Sequence, residues 1–278
     1  MKKALCIGIN DYPYVGSDLN GCINDAKNWS QVLKDLFGFT DFEMLLDSNA
    51  TKKHIMGSIK EFLLAESKSG DVLALTWSSH GTYVADTTGD EKNYDEAMCP
   101  YDMDDNLIVD DELRELFEDI PSGVRMTVIA DSCFSGTVTR VGLADNYPGI
   151  MAAAFTSSQQ QVWSSRRVRF LSPALRGDPV IESPWAATPR RILYPQSKMV
   201  EVLFSGCKDT EYSYDAKIGG AYNGAMSYYA CQVIRQTNGK VTWSQLRQRV
   251  QAELDKARFP QHPQAEGNSA AKRRRIFS

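Results

Sequence analysis

The chain has 278 residues, of which 42% are hydrophobic and 24% charged, and its formal net charge is −4. This composition is typical of a globular protein, and the negative balance gives no reason to expect nucleic acid or an anionic membrane as a partner. Six scattered cysteines without a CxxC pair disfavour a zinc knuckle or a thioredoxin-type site. No apolar run is long enough for a membrane span or a signal peptide, so we expect a cytoplasmic protein.

The N-terminal part alternates between strand-like and helix-like patterns. Apolar runs at 3–9, 42–46 and 71–75 have the length and the bounds of buried strands. Between them, apolar residues recur at helical spacing at 19–36 and at 55–63. This β-α-β-α-β order predicts an α/β fold whose mainly parallel central sheet carries helices on both faces.

An acidic loop and a further strand follow. Residues 86–112 carry 11 Asp or Glu residues, which are opposed only by Lys92. A helical pattern at 113–120 then leads into an apolar run at 124–129, which is typical of another buried strand.

The C-terminal part begins with a segment of different character, 159–197, which is rich in Arg and Pro and has weak apolar periodicity. A strand at 199–207 and helices at 225–236 and 242–257 come after it. Without an internal repeat or a clear domain boundary, we expect one domain over 1–278. We divide it into a large part at about 1–158, the linker at about 159–197, a small part at about 198–268 and a basic tail at 269–278.

His80 and Cys133 are the candidate catalytic residues. Each follows a predicted strand, and open α/β sheets bind their ligands at the carboxyl ends of the strands. A thiol becomes a strong nucleophile when an imidazole favours the thiolate. Alone, a His or a Cys at such a position is more often structural. The small residues beside them, such as Gly81 and Ser132, allow a substrate backbone to approach, and we therefore interpret the pair as a dyad.

The chain resembles caspase-fold cysteine peptidases and, within that clan, the metacaspases and orthocaspases of peptidase family C14. The matching stretches span nearly the whole chain: 4–10, 19–26, 78–81, 95–96, 109–113, 131–136, 203–207 and 261–264. Caspases carry their His about 50 residues before the Cys, and here the separation is 133 − 80 = 53 residues. The resemblance implies the caspase–hemoglobinase fold, with 1–158 as the large-subunit-like part and 198–268 as the small-subunit-like part.

The reaction implied by the resemblance is acyl transfer. Cys133 attacks the scissile carbonyl, and His80 serves the leaving amine as general acid and later activates water. The backbone N–H groups of Gly81 and Cys133 hold the oxyanion.

The resemblance also implies a primary pocket (S1), which receives the residue before the scissile bond, lined by Cys22, Asp25, Ser78 and Asp131. Two carboxylates there would repel an acidic side chain, bind Arg through two hydrogen bonds, and bind Lys less readily as a point charge. Without the resemblance, Asp25 would be read as a helix surface residue and Asp131 as a turn partner.

Calcium is the one cofactor that the resemblance raises, because many metacaspases bind it through carboxylates that match Asp95, Asp110 and Asp111. The loop lacks the EF-hand pattern, and Asp110 and Asp111 also suit a helix N-terminus. Calcium-dependent relatives carry an Asp seven residues after the Cys, where this chain has Arg140. Its guanidinium would pair with the same carboxylates. We therefore expect that no cofactor is required, and calcium stays the alternative.

The linker is the predicted control segment, because caspase-fold enzymes are commonly cut between their large and small parts. An exposed, Pro-broken segment rich in Arg is a ready substrate for an Arg-specific peptidase, although it is also typical of a solvated insertion. We expect a zymogen that is cut by itself or by an upstream activating protease. The candidate positions are Arg166, Arg167, Arg169, Arg176, Arg190 and Arg191, and the basic tail is a further one.

Together these features predict a monomeric cysteine endopeptidase that cleaves protein substrates after Arg and, less readily, after Lys. Two alternatives remain open at this point. One is a clan member with another P1 preference, such as Asn. The other is a catalytically idle caspase-like scaffold that binds partners.

Overall fold

The computed structural model describes residues 1–13, 16–85, 94–133, 166–173, 199–208 and 211–278. The strands in these residues are β1 (Lys2–Gly8), β2 (Asp41–Leu46), β3 (Val72–Ser78), β4 (Gly81–Ala85), β5 (Tyr94–Met98), β6 (Ile108–Val109), β7 (Arg125–Asp131), β8 (Arg167–Val168), β9 (Val202–Ser205), β10 (Tyr214–Ile218), β11 (Ala221–Gly224) and β12 (Gln264–Glu266).

The α-helices of the described residues surround these strands. They are α1 (Cys22–Phe37), α2 (Lys52–Gly57), α3 (Asp110–Glu118), α4 (Ala225–Gln236), α5 (Trp243–Lys256) and α6 (Ser269–Arg273). A further helical turn, Ser58–Leu64, continues α2. Within the described ranges, none of the helices has the length and the apolar character that a membrane span needs.

The central sheet has six strands in the order β12-β9-β7-β3-β1-β2. All neighbours pair in parallel except β12, which runs antiparallel to β9. Side chains along a strand alternate between the two faces. Ala4 and Cys6 therefore pack with α1, α4 and α5, whereas Leu5 and Ile7 pack with α2 and α3. The predicted mainly parallel sheet with helices on both faces is confirmed.

Two small antiparallel sheets flank the end of the central sheet where the catalytic candidates lie. One contains β4, β5 and β6, and the other contains β8, β10 and β11. β8 comes from the Arg- and Pro-rich linker, and it pairs Val168 with Tyr214 and Arg167 with Asp215. A strand of two residues leaves no periodicity in the sequence, so the linker pattern did not predict it.

Two residues of the basic tail lie in the core. The arginines at 273–275 are exposed, but Ile276 and Phe277 are buried. The ring of Phe277 contacts those of Phe37 and Trp243 edge-on, with centroid distances of 4.9 and 5.1 Å. The tail therefore helps to close the face of the sheet that α1 and α5 cover.

Candidate active site

His80 and Cys133 follow neighbouring parallel strands, β3 and β7. The register pairs Ser78 with Asp131, so the residues after these two positions emerge side by side at the carboxyl edge of the sheet. The hydroxyl oxygens of Ser79 and Ser132 lie 3.4 Å apart. Both catalytic candidates are buried, and His80 is 4% exposed.

The imidazole of His80 is held by main-chain groups. Its Nε2 lies 2.6 Å from the carbonyl oxygen of Ser17, which suits a neutral ring that donates from Nε2. Burial lowers the pKa of His80 to about 4, although the carbonyls of Ser17 and Arg169 act in the opposite direction. The ring is therefore uncharged at pH 7 and can accept a proton.

The thiol of Cys133 is fully buried and contacts the main chain of Ser213. Its Sγ donates to the Ser213 carbonyl at 3.3 Å and accepts the N–H group of the same residue. Cys207 lies next to it, and a hydrogen bond with Cys133 together with burial raises the pKa of the Cys207 thiol well above its ordinary value. Among the described residues no hydrogen bond joins Sγ of Cys133 to His80. The thiol of Cys133 therefore donates to the Ser213 carbonyl and not to the imidazole.

The main chain of Arg169 lies across the two strand ends. Its carbonyl oxygen accepts the N–H groups of Gly81 at 2.9 Å and of Cys133 at 3.3 Å, which are the two predicted oxyanion donors. Its own N–H group donates to the carbonyl of Ser213 at 3.0 Å, and the N–H group of Leu171 donates to Gly81 at 2.9 Å. With β8 paired to β10, residues 167–171 run through the site as an extended peptide.

The side chain of Arg169 is fully buried among three carboxylates. Its Nη2 donates to Asp25 at 2.6 Å, and its Nη1 donates to the backbone carbonyl of Asp131 at 2.9 Å and lies 3.4 Å from the carboxylate of the same residue. The third carboxylate, Asp215, lies 4.0 Å from Nη2. Three acids around one guanidinium leave the pocket with a surplus of negative charge, which favours a cation.

Two helix N-termini hold these carboxylates in place, since the N–H groups of a first turn have no intrahelical acceptor. At the start of α4, Gly224 donates to Asp25 at 2.9 Å and Ser227 donates to Asp131 at 2.9 Å. At the start of α1, Gly21 donates to Asp215 at 3.1 Å.

Burial and Asp131 raise the pKa of Asp25 to about 7, whereas the charge of Arg169 lowers it. Burial is the largest of these causes. Asp25 therefore changes its charge close to neutral pH, and the negative charge of the pocket changes with it.

Gly224 also shapes the pocket by its lack of a side chain. A Cβ at this position would meet Oδ2 of Asp131 and Nη1 of Arg169. Its φ of −66° and ψ of 133° are open to any residue, so the requirement is for space and not for conformation.

The structure brings the four predicted S1 residues together. Besides Asp25 and Asp131, Cys22 is buried at the start of α1, where the charge of Arg169 acts on its thiol, and Ser78 lies beside Asp131 in the sheet register. The sequence reasoning did not find Asp215. The sequence feature that could have indicated it is an acidic residue inside the strand-like stretch 214–218.

The predicted metal ligands lie away from this pocket. Asp95 is buried on β5, and Asp110 and Asp111 begin α3, which follows the strand that pairs with β5. Asp111 forms an ion pair with Arg114. Over the described ranges, no group of three His, Cys, Asp or Glu side chains converges as a metal site. Arg140 lies outside the described residues, so the expectation that no calcium is required stays a prediction.

The linker arginines are only partly described, because Arg176, Arg190 and Arg191 lie outside the described residues. Arg167 is exposed and Arg166 is half-buried. The sequence predicted an exposed segment, and for Arg169 this was wrong. The reason is that three carboxylates bind its charge, which allows the side chain to be buried.

Comparison with known proteins identifies the family. Residues 2–141 match the metacaspase, peptidase C14 domain. The chain is 33% identical to metacaspase-1A of Aspergillus niger over an alignment of 290 positions, which covers 95% of this chain and 69% of the relative. The chain belongs to the metacaspase family. It is also 42% identical to metacaspase-7 of Arabidopsis thaliana over an alignment of 144 positions, which covers 49% of this chain and 35% of that protein. The metacaspase is therefore a cysteine peptidase of family C14, and its substrates are proteins.

Solved structures agree with the family at the level of the fold. Protein GSU0716 from Geobacter sulfurreducens matches with a TM-score of 0.67 and 22% identity, over 100% of this chain and 98% of that one. Caspase-1 from Spodoptera frugiperda matches with a TM-score of 0.55 and 13% identity, over 96% and 86% of the two chains. The predicted caspase fold is confirmed.

Proposed function

We propose that this metacaspase cleaves peptide bonds after Arg, and less readily after Lys, and that its own Arg169–Phe170 bond is a substrate. One observation carries the proposal. The guanidinium of Arg169 is bound by Asp25 and Asp131 while its carbonyl accepts the N–H groups of Gly81 and Cys133. A scissile residue needs both sets of contacts at once.

The pocket chemistry supports the preference for Arg. An acidic P1 side chain would be repelled by the carboxylates of Asp25, Asp131 and Asp215. A planar guanidinium reaches more than one acceptor from one position, whereas an ammonium group is a compact point charge. Arg is therefore favoured over Lys, and Asp is excluded.

The proposed reaction follows from the groups around the carbonyl of Arg169. Sγ of Cys133 attacks the carbonyl carbon, and the oxyanion is held by the N–H groups of Gly81 and Cys133. His80, which is neutral, accepts the thiol proton and passes it to the amine of Phe170 as the C–N bond breaks. His80 then takes a proton from water, whose oxygen attacks the thioester carbon. The bond between Sγ and this carbon breaks, Arg169 leaves as its carboxylate, and His80 returns the proton to the Cys133 thiolate.

Occupation of the cleft by residues 167–171 supports a zymogen. While this segment is bound, an outside substrate cannot reach S1, so cutting after Arg169 would open the site. An upstream protease that cuts the linker would have the same effect. All the contacts described for the site come from one chain, and the proposal therefore needs no second copy.

A panel of fluorogenic peptides with Arg, Lys, Asn or Asp at P1 tests the proposed specificity. We expect a kcat/KM order of Arg, then Lys, with Asn and Asp far below, and no hydrolysis by Cys133→Ala. A preference for Asp or Asn would overturn the pocket assignment. Titration with an arginyl ketone that reacts with the active-site thiol addresses the scaffold alternative, because an idle scaffold would leave Cys133 unlabelled.

A further inference from the structure

Arg166, three residues before Arg169, makes a second set of contacts with a guanidinium. Its Nη1 donates to the carbonyl of Arg258 at 3.0 Å, and its Nη2 donates to the carbonyl of Ala257 at 3.1 Å. Its Cζ lies 3.9 Å from the centre of the Phe259 ring. Two carbonyls and one aromatic face therefore bind this cation. We call them the helix-end site.

The helix-end site exists because α5 ends there. The last carbonyls of a helix have no intrahelical partner and carry the negative end of the helix dipole. α5 ends at Lys256, and the chain turns at Arg258, whose φ of 60° lies in the left-handed region. The carbonyls of Ala257 and Arg258 thus lie beyond the helical hydrogen bonds, where a cationic donor is favourable.

The aromatic part of the helix-end site is fixed by packing. Phe259 is 6% exposed, and its ring centre lies 6.1 Å from that of Tyr214 on β10 and 6.3 Å from that of Tyr229 on α4. β10 also pairs with β8, which follows Arg166 directly. The ring of Phe259 packs against β10, and the strand that follows Arg166 pairs with β10. One strand therefore positions both the ring and the arginine.

We propose that the helix-end site is a substrate subsite that selects Arg at P4, three residues before the scissile Arg. The inference rests on the proposed function, in which Arg169 is the P1 residue and Arg166 is therefore P4. Arg suits the site better than Lys, because its planar group stacks on a ring while it donates to two separate carbonyls.

Four tetrapeptide reporters test the subsite. The enzyme is produced with all 278 residues and used after it has cut its own Arg169–Phe170 bond. They carry Arg, Lys, citrulline or Ala at P4, followed by Ala-Val-Arg. We expect kcat/KM about tenfold higher for Arg than for Ala, which is the scale of a partly desolvated cation–π contact with hydrogen bonds. Citrulline, which keeps the planar shape but lacks the charge and has an oxygen acceptor in place of one terminal nitrogen donor, falls between them.

Substitutions at Phe259 test the aromatic contact. Phe259→Leu lowers the Arg-to-Ala ratio to about threefold, because the cation–π contact is lost, whereas Phe259→Tyr preserves the ratio. Each ratio is measured within one variant, so a loss of folded protein cancels.

Self-cleavage gives a second measurement that needs no added peptide. In the full chain, Arg166→Ala slows the appearance of an N-terminus at Phe170 about tenfold, and Arg166→Lys slows it less. Arg249→Ala, which removes an exposed arginine of α5, is the matched charge control and leaves the rate unchanged.

The outcomes separate this inference from the proposed function. If all four reporters are cleaved after Arg with equal kcat/KM, the subsite is overturned and the Arg specificity stands. If no reporter with Arg at P1 is cleaved while a peptide with another P1 residue is, both proposals fall together.

Discussion

Arg169 and Arg166 are three residues apart, but their guanidinium groups lie in chemically different surroundings. Arg169 is fully buried against the carboxylates of Asp25, Asp131 and Asp215. Arg166 is half-buried against two carbonyls and the ring of Phe259. The contacts of Arg169 include carboxylates that titrate, and those of Arg166 include two carbonyl dipoles and a π face that do not.

This difference assigns separate tasks to the two sites. A fully buried cation needs charged partners, because removal of one partner leaves an uncompensated charge in a dry pocket. A half-exposed cation keeps part of its hydration and gains only a modest free energy from carbonyls and an aromatic ring. Loss of the S1 contacts should therefore nearly abolish cleavage of a substrate, whereas loss of the helix-end contacts should lower kcat/KM only moderately.

The largest expected effect comes from removing one S1 charge. Asp25→Asn and Asp131→Asn should each lower kcat/KM for an Arg substrate by about a hundredfold or more, since breaking a buried charge pair costs about 3–5 kcal/mol. Both variants preserve side-chain size. A fluorogenic Arg substrate measures the loss, and circular dichroism checks folding. If these variants lower kcat/KM by no more than Phe259→Leu does, the proposal that S1 contributes more than the helix-end site is wrong.

A smaller effect is expected from narrowing S1 without changing its charge. In Gly224→Ala the added methyl group meets Asp131 and the guanidinium of the substrate. Overpacking of this kind costs about 1–3 kcal/mol, so we expect about a tenfold loss of kcat/KM with Arg at P1. The methyl group also meets the buried carboxylate of Asp131 when no substrate is bound, so Tm should fall by a few degrees as well. Unaltered kinetics would mean that the guanidinium does not occupy this pocket.

The two sites should also differ in their response to pH. Protonation of Asp25, whose pKa is raised to about 7 by burial, removes one negative charge from S1. The rate of self-cleavage and the kcat for Arg substrates, which both report the pocket with Arg bound, should thus fall as the pH drops below about 7, by up to about tenfold per unit. His80, with a pKa lowered to about 4, stays neutral through this window.

Asp25→Asn is the control for this pH profile, because it should abolish the loss between pH 7 and pH 5. The ratio of rates for Arg and Ala at P4 should change far less between pH 7 and pH 5 in the wild type, since the carbonyls of Ala257 and Arg258 and the ring of Phe259 do not titrate. A wild-type profile that Asp25→Asn leaves unaltered would rule out this carboxyl as the titrating group.

Asp95, Asp110 and Asp111 are the predicted metal ligands, and the smallest expected effect concerns them. Chelation by EDTA should leave the activity of the purified protein unchanged, within about twofold, because Arg140 replaces the Asp that calcium-dependent relatives carry. Hydrolysis of an Arg reporter with and without added calcium measures this. Loss of activity with EDTA and its return with calcium would show that the metal is required.

The sequence alone predicted much of this arrangement, for identifiable reasons. Buried parallel strands read as continuous apolar runs, so the sheet and the positions of His80 and Cys133 at its edge were accessible from the pattern. The S1 carboxylates Asp25 and Asp131 were accessible only through the family resemblance, because nothing local distinguishes them from surface or turn residues.

The remaining features depend on contacts between distant parts of the chain. Asp215 meets Gly21 across 194 residues of sequence, and no local pattern reports such a contact. The burial of Arg169 and the two-residue strand β8 were missed for a related reason. An Arg- and Pro-rich composition predicts an exposed segment. Arg169 is buried because Asp25, Asp131 and Asp215, which come from other parts of the chain, surround its charge.

The most direct test of the account is mass spectrometry of the full-length protein after incubation, with Cys133→Ala alongside. The account predicts a new N-terminus at Phe170 in the wild type, none in Cys133→Ala, and none at this position in Arg169→Gln. A wild-type chain that stays intact, or one cut elsewhere while the Arg169–Phe170 bond persists, would contradict the claim that the metacaspase binds its own Arg169 as a substrate.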